Sequence, residues 1–336
     1  MTSAVVVQTA FLGDVVLTTP LLRTLAVRHG PVDVVTTPAA APLLDTHPAV
    51  RQVIRYDKRG ADRGWGGLTA LALRLREAHY EVAYVPHRSL RSALLALWAR
   101  VPRRVGFRDG WRSLYTESRA RPAGGHEVDR LLALAGDPTA IRTPSIGLTP
   151  ADHGAAAAFV ESEALGSDVV ALAPGSIWGT KRWPHFAALA GRLAESHAIA
   201  VVGSAGDDEL AAAIVDRVRS AGGRAASGCG RLTLRESAAL LARCRLLVTN
   251  DSAPLHFAQA VGTPTVAVFG PTLPAFGFGP LNPGDRVAEV TDLTCRPCSR
   301  HGPAACPLGH HRCMRDLAVE RVIAAIEETG ALRRRD

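Results

Sequence analysis

Long apolar runs are missing from this sequence of 336 residues. No stretch of about 18 consecutive apolar residues occurs, so the sequence predicts no membrane-spanning helix. The apolar N-terminal segment has no basic flank and is interrupted by Gly13 and Asp14, which is not typical of a secretory signal peptide. We therefore expect a cytoplasmic protein.

Aromatic residues are also scarce, at 5%, and charged residues make up only 21%. A hydrophobic content of 47% excludes global disorder, and the length favours two domains of about 150 to 170 residues. Residues 1–150 contain 20 Lys and Arg against 12 Asp and Glu, whereas residues 151–336 contain 19 of each. This surplus indicates an anionic partner of the first half, unless it is only a solvated Arg-rich surface. The basic half lacks the interleaved aromatics that stack on bases, which argues against nucleic acid.

Short apolar runs alternate with helical patterns along the whole chain. Strands are predicted at 4–7, 32–36, 50–56, 81–85, 103–107, 169–172, 198–202, 246–248 and 265–269, and helices mainly between them. A Pro- and Gly-containing linker is predicted at 142–154. Such alternation favours an α/β fold with doubly wound parallel sheets, as two Rossmann-like domains, 1–150 and 151–336, separated by a cleft.

Asp14 follows the first predicted strand and precedes a helical pattern that runs to His29. The helix either begins at Asp14 and bends at Pro20, or begins at Pro20 with Thr19 as its cap. Both alternatives leave Asp14 at the carboxyl end of a strand, in a loop or a first helical turn. It could serve there as a functional carboxylate or simply as a helix cap.

Two loops of the second half carry groups suited to an anion. The segment TNDSAPLHFAQAVGTPTVAVFGPT, residues 249–272, predicts a helix capped by Ser252, with Pro254 in its first turn and Gly262 at its end. Its N-terminus would offer unpaired N–H groups to a phosphate. The earlier segment, residues 173–184 (APGSIWGTKRWP), contains Lys181, whose ammonium can face a diphosphate. It also contributes the hydroxyl groups of Ser176 and Thr180.

Three further side chains of the second half are candidate ligand contacts, and two of them have a structural alternative. Asp207 and Glu209 follow a strand and could accept from ribose or sugar hydroxyls, while Asp207 could equally cap the next helix. His256 lies one turn into the helix that follows Ser252. Its side chain either contacts the ligand or is a buried core histidine.

Four of the six cysteines are concentrated near the C-terminus, at Cys295, Cys298, Cys306 and Cys313. One CxxC pair followed by two separate cysteines is compatible with a small structural zinc site. Because the second pair has irregular spacing, free thiols or a redox-labile loop remain the alternative.

Four segments together resemble the bacterial lipopolysaccharide heptosyltransferases, glycosyltransferase family 9, with heptosyltransferase II as the nearest subgroup. They are residues 11–25 (FLGDVVLTTPLLRTL), 173–184, 202–210 (VGSAGDDEL) and 249–272. The resemblance implies a GT-B fold and an inverting transfer of L-glycero-D-manno-heptose from ADP-heptose to the lipopolysaccharide inner core. It makes Asp14 the candidate general base, a role in which one carboxylate suffices if it is well positioned.

The resemblance also assigns the donor site. It places Ser176 and Lys181 at the donor diphosphate, and Asp251, Ser252 and Ala253 at the loop that meets the sugar and phosphates, with His256 one turn further on. The family commonly has glycine where this chain has Ala253, which adds a methyl group at a close approach. No DxD-like pair lies where a divalent ion would hold the diphosphate, so we expect transfer without a metal cofactor.

The acceptor implied by the resemblance is an anionic inner-core saccharide at the inner membrane surface. The loop with Lys58, Arg59 and Arg63 is the predicted acceptor contact. Other cations of the first half that could contribute are His87, Arg88, Arg91 and Arg108. Two alternatives stay open: a transferase of the same fold with another nucleotide sugar or another acceptor, and a non-catalytic nucleotide-binding regulator.

Overall fold

The computed structural model describes residues 3–137 and 140–333. The chain divides into two compact units, Met1–Gly147 and Leu148–Asp336, each built on a six-stranded sheet whose strand pairs are all parallel. Within the described ranges, no helix combines the length and apolar character needed to cross a membrane.

In its described residues, the first unit has six strands and four α-helices. In chain order they are β1 (Ala4–Val7), α1 (Leu12–His29), β2 (Val32–Thr36), β3 (Val50–Arg55), α2 (Gly64–Glu77), β4 (Val82–Val85), α3 (Leu90–Trp98), β5 (Arg103–Phe107), β6 (Glu117–Arg119) and α4 (Glu127–Ala135). The sheet order is β3-β2-β1-β4-β5-β6. The strand order therefore reverses between β1 and β4, which is where doubly wound sheets bind ligands.

The second unit repeats this topology. Its elements are α5 (Pro150–Ser162), β7 (Val169–Ala173), α6 (Phe186–Leu193), β8 (Ala198–Val201), α7 (Asp208–Ser220), β9 (Ala225–Ser227), α8 (Leu234–Leu241), β10 (Leu246–Asn250), α9 (Ala253–Val261), β11 (Thr265–Phe269), β12 (Arg286–Glu289), α10 (Arg312–Arg315) and α11 (Val319–Thr329). The order β12-β11-β10-β7-β8-β9 places the reversal between β7 and β10. The predicted pair of Rossmann-like sheets is confirmed.

Seven of the nine strands that the sequence predicted are buried on both faces, and the other two, β3 and β5, are partly exposed. Every residue of β1, β2, β4, β7, β8, β10 and β11 is buried, so each reads as a continuous apolar run. The three strands that were missed, β6, β9 and β12, lie at sheet edges. Edge strands are short and partly exposed, and their sequences ESR, AAS and RVAE carry no such run.

Helix α1 differs from both alternatives drawn from the sequence, because it begins at Leu12 and continues through Pro20. Proline has no N–H to donate to the carbonyl oxygen of Val16 four residues earlier. The hydroxyl of Thr19 donates to that oxygen instead, at 2.7 Å. The helix therefore tolerates Pro20, and Asp14 lies in its first turn.

Candidate functional site

In the first unit, Asp14 lies where the chain leaves β1, beside the reversal of strand order. Its carboxylate accepts a hydrogen bond from the backbone N–H of Phe11 at 3.2 Å and so caps α1 at its third position. The side chain is only partly buried. Asp14 is thus both a helix cap and an accessible carboxylate, so the two sequence interpretations are compatible.

The pKa of the Asp14 carboxyl is raised to about 6. Burial is the main cause, and the negative charge of Glu127 adds to it, while the Phe11 N–H and the positive charge of Arg121 act in the opposite direction. Glu127 lies at the start of α4 and pairs with Arg121 at 2.5 Å and with Arg130 at 3.3 Å. A carboxylate with such a pKa is ionised at neutral pH and is a better proton acceptor than an ordinary aspartate.

Three polar side chains, from the segments that follow β1, β3 and β4, are in contact in the loop that precedes Asp14. Lys58, after β3, donates to the carbonyl oxygen of Thr9 at 2.6 Å and lies 3.3 Å from its hydroxyl. His87, after β4, contacts the hydroxyls of Thr9 at 3.4 Å and of Ser92 at 3.1 Å. Nothing in the sequence marked Thr9 as the residue that joins them.

His87 is not the cation that the sequence suggested. Burial, followed by the nearby charge of Lys58, lowers the pKa of its imidazole to about 4, so the ring is neutral at physiological pH. Burial and the charges of Arg59 and Arg91 also lower the pKa of Lys58. Arg59 and Arg63, the other two predicted acceptor contacts, are exposed in the same loop as Lys58.

In the second unit, the structure brings Lys181 and Asp251 into direct contact across 70 residues of sequence. The Lys181 ammonium lies 2.6 Å from Oδ2 of Asp251, and the hydroxyl of Thr272 donates to the same oxygen at 2.7 Å. Both charged side chains are about one-tenth exposed. The ammonium keeps two further N–H donors, and among the described residues Asp251 Oδ1 has no hydrogen-bond donor.

The N-terminus of α9 lies directly beside this pair. Ser252 is the N-cap residue, as predicted, but its side chain makes no capping hydrogen bond and donates instead to the Asn250 carbonyl at 3.4 Å. Ala253 is the first helical residue and is partly exposed. Helical backbone suits alanine, so its methyl group introduces no backbone strain, and the free N–H groups of this turn remain available to an anion.

His256 is a buried histidine whose Nδ1 lies 3.0 Å from Oε1 of Gln259. Gln259 in turn donates to the Gly279 carbonyl at 3.3 Å. Burial lowers the pKa of His256. These contacts favour the core interpretation of this residue, in which it orders the helix that presents Ser252 and Ala253.

The two hydroxyls of the β7 loop differ in their surroundings. Ser176 is partly exposed, and its hydroxyl oxygen accepts from the backbone N–H of Trp178 at 3.3 Å. Thr180 is buried, and its hydroxyl donates to the carbonyl of Pro303. The Thr180 side chain is therefore committed to the cysteine-rich segment, whereas Ser176 remains accessible.

Asp207 and Glu209 also differ in burial and in their contacts. The Asp207 carboxylate is buried and accepts from the N–H and hydroxyl of Ser204, at 2.9 and 2.8 Å, so it caps the helical turn before α7. A Cβ at Gly175 would lie 2.3 Å from this carboxylate, which explains the glycine there. Glu209 is exposed in the first turn of α7.

The cysteine-rich segment contacts both loops of the candidate anion site. Arg296, next to Cys295, is almost completely buried and donates to the carbonyl of Thr272 at 3.0 Å and to Glu289 at 2.7 Å. His311 lies 2.7 Å from the carbonyl of Thr180 through its Nε2. The segment thus contacts both the loop with Lys181 and the loop with Thr272. The spacing of its cysteines and histidines in the sequence did not predict these contacts.

The same segment does not assemble a metal site. Among the described residues, no three His, Cys, Asp or Glu side chains are arranged to hold a metal ion, and all six cysteines are free thiols. Burial acts to raise the pKa of Cys306, but backbone N–H groups of residues 308–311 outweigh it and lower the pKa. Burial raises the pKa of Cys313 to about 11. The predicted structural zinc at Cys295, Cys298, Cys306 and Cys313 is therefore not supported.

Two Rossmann-like units of this topology, with a candidate anion site at the strand ends of one, are characteristic of the GT-B class of glycosyltransferases. Residues 68–307 match glycosyltransferase family 9, the heptosyltransferase family. The chain belongs to this family, and it is accordingly a glycosyltransferase.

Similar proteins extend the match to nearly the whole chain. Lipopolysaccharide heptosyltransferase 2 of Escherichia coli K12 is 32% identical, over 97% of each chain, and its Salmonella typhimurium LT2 counterpart is 31% identical over 95% of each. The solved structure of E. coli ADP-heptose lps heptosyltransferase II has a TM-score of 0.77 at 27% identity, covering 97% of this chain and 98% of that one. A family 9 glycosyltransferase from Veillonella parvula DSM 2008, 24% identical, has the same fold, with a TM-score of 0.83 and coverage of 98% and 97%.

Proposed function

We propose that this protein transfers L-glycero-D-manno-heptose from ADP-heptose to an anionic saccharide of the lipopolysaccharide inner core, with inversion at the anomeric carbon. The observation that carries the proposal is the full-length likeness to a lipopolysaccharide heptosyltransferase 2. The reaction would take place at the cytoplasmic face of the inner membrane, where such an acceptor is assembled.

In the proposed reaction, the Asp14 carboxylate accepts the proton of the acceptor hydroxyl as that oxygen forms its bond to the anomeric carbon. The bond from this carbon to the β-phosphate oxygen breaks, and ADP leaves with its additional negative charge. The raised pKa of Asp14 matches the task of a base at neutral pH.

The departing ADP needs positive charge from the second unit. The two remaining N–H donors of Lys181 and the N–H groups at the start of α9 can supply it without a metal ion. Asp251 Oδ1 can accept a hydroxyl of the donor sugar, since Oδ2 already bonds Lys181 and Thr272. Ser176 completes the predicted phosphate contacts because its hydroxyl is accessible.

The acceptor contacts are proposed for the first unit, whose residues 1–150 hold the whole basic surplus. Arg59 and Arg63 are exposed cations beside the loop that Lys58 ties to Thr9. Phosphate and carboxylate groups of an inner-core saccharide fit such side chains.

The donor can be tested by thermal unfolding with different nucleotide sugars. ADP-heptose at about 100 times its Kd should stabilise the folded protein by about 2.7 kcal/mol and raise the Tm by several degrees. UDP-glucose and GDP-mannose at the same concentration are the controls, and we expect little change with either. A shift with one of these sugars and none with ADP-heptose would replace the proposed donor.

The pH dependence of transfer tests the assigned base. Protonated Asp14 cannot accept a proton, so kcat/KM should decrease by about tenfold for each pH unit below about 6. ADP affinity, measured by calorimetry at the same pH values, separates this loss from a loss of donor binding. An acid limb with an ordinary aspartate midpoint near pH 4 would contradict the raised pKa.

A further inference from the structure

The outer surface of α2 and α3 exposes several large apolar side chains. Trp65 and Leu73 of α2 are 61% and 51% exposed, and Leu90 and Trp98 of α3 are 37% and 39% exposed. The rings of Trp65 and Trp98 contact each other, with centroids 5.8 Å apart. The two helices therefore meet through exposed tryptophans and expose further leucines, and a concentration of large apolar side chains is uncommon on a surface without a partner.

Helix α3 is apolar on both sides. Its inner side, which includes Ala93 and Leu95, packs into the core of the first unit. Leu90, Leu97 and Trp98 lie on the outer side, where Leu97 is half-buried, whereas the half-buried Leu94 packs against the core. A helix at a protein surface normally carries polar residues outward, so this side is suited to a second apolar or amphipathic surface.

Exposed arginines lie at or near the ends of both helices. Arg59 and Arg63 precede α2, Arg76 lies in its last turn and Arg100 follows α3, and all four side chains are exposed. None has an ion pair or side-chain hydrogen bond within the described part of the chain. Residues 58–100 contain eight basic and three acidic residues, so this part of the chain has a net positive charge.

We propose that this surface, formed by Trp65, Leu73, Leu90, Leu97 and Trp98 with the four exposed arginines at the ends of the two helices, docks on an anionic phospholipid bilayer. Tryptophan and leucine side chains enter the headgroup region of a membrane favourably. Arginines next to them are attracted by the negative surface potential of anionic lipids. A two-fold contact with a second copy is disfavoured, because it would bring the same unpaired cations together.

The position of this surface suits delivery of a lipid-linked acceptor. Helix α2 begins directly after the loop of residues 58–63, at the carboxyl edge of the sheet where Asp14 also lies. A bilayer held against α2 and α3 would present a membrane-anchored saccharide to that loop. This connection to the acceptor rests on the proposed function, whereas binding to the bilayer does not.

Sedimentation with vesicles tests the surface without any sugar substrate. The full chain should sediment with vesicles of phosphatidylglycerol and phosphatidylcholine, and much less with phosphatidylcholine alone or at high salt. The double variant Trp65→Ser and Trp98→Ser should lower the partition coefficient by about tenfold or more. The pair Arg76→Gln and Arg100→Gln should lower it by about fivefold for each arginine.

The controls separate docking from folding and from catalysis. Val27→Ser removes an isolated apolar side chain that is 91% exposed on α1, and it should sediment like the unaltered protein. Asp14→Asn should do the same, even if Asp14 proves not to be the base. Equal partitioning of the tryptophan variant and the unaltered protein would overturn the proposal. A dimer in sedimentation velocity that the tryptophan variant dissociates, without vesicle binding, would overturn it in favour of self-association.

Discussion

Asp14→Asn is expected to abolish heptosyl transfer while ADP still binds with its normal affinity. Loss of a general base costs about 10²- to 10⁴-fold in kcat, and the asparagine amide cannot accept the proton. The amide oxygen can still accept the Phe11 N–H, so the cap of α1 is retained. Turnover is measured by a coupled assay and ADP affinity by calorimetry on the same preparation. We expect the first to be lost and the second to be unchanged.

The same variant should not destabilise the protein at neutral pH. The carboxyl of Asp14 has its pKa raised from 3.8 to about 6, so its ionised form is disfavoured in the folded state. The folded state loses stability as pH rises from about 4 to about 6, and the cost above that range is about 3 kcal/mol. Asparagine removes this cost, so the free energy of unfolding at pH 7.5 should rise or stay constant.

Glu236→Gln is the matched control, since Glu236 occupies the same capping position at α8 and accepts the Thr233 N–H at 2.8 Å. It should leave both transfer and ADP binding unaltered. If Asp14→Asn retains turnover, or loses ADP binding together with turnover, Asp14 is not the base.

Lys181→Ala is expected to have the largest effect on the donor side. The substitution removes the ammonium that would face the diphosphate, and transition-state donors of this kind are worth about 10²- to 10³-fold in kcat. It also leaves Asp251 buried without its cation, which costs about 3 to 5 kcal/mol of folding stability. Calorimetric ADP affinity and chemical denaturation measure the two losses separately.

A double variant distinguishes lost binding from poor folding. Lys181→Ala combined with Asp251→Asn removes the unpaired charge, so stability should largely return while ADP affinity stays low. Lys58→Ala is the control lysine, because it bonds Thr9 in the first unit, and it should leave ADP affinity intact. Recovery of ADP binding in the double variant would assign Lys181 a purely structural role.

The sequence predicted the positions of the site loops better than the contacts within them. Parallel strands place all their carboxyl ends at one edge, so the segments after β1, β7 and β10 were identifiable from apolar runs alone. The partners of individual side chains were not. Thr180 is occupied by Pro303 and His311, more than 120 residues away, and no local pattern reports such a contact.

The electrostatics of Asp14 were equally hidden from the sequence. Its pKa is raised by burial and by Glu127 and lowered by Arg121, and α4 and the segment before it bring these two charges beside α1. The start and continuity of helix α1 were predicted wrongly for a local reason. The Thr19 hydroxyl donates to the carbonyl that Pro20 leaves without a donor, and proline propensities do not predict such a bond. The cysteines suggested a metal through their spacing, yet spacing does not show whether sulfur atoms converge.

The pairing of Lys181 with Asp251, and of Lys58 with Thr9, has a practical consequence for chemical labelling. These two are the only lysines in the sequence, and every other side-chain cation of constant charge is an arginine. An amine-selective reagent therefore reports on just two side chains, one at the strand ends of each unit. Because both ammonium groups are held by hydrogen bonds, their rates of acylation, followed by mass spectrometry, measure how often each site opens. Protection by ADP at Lys181 alone would map the donor without any substitution.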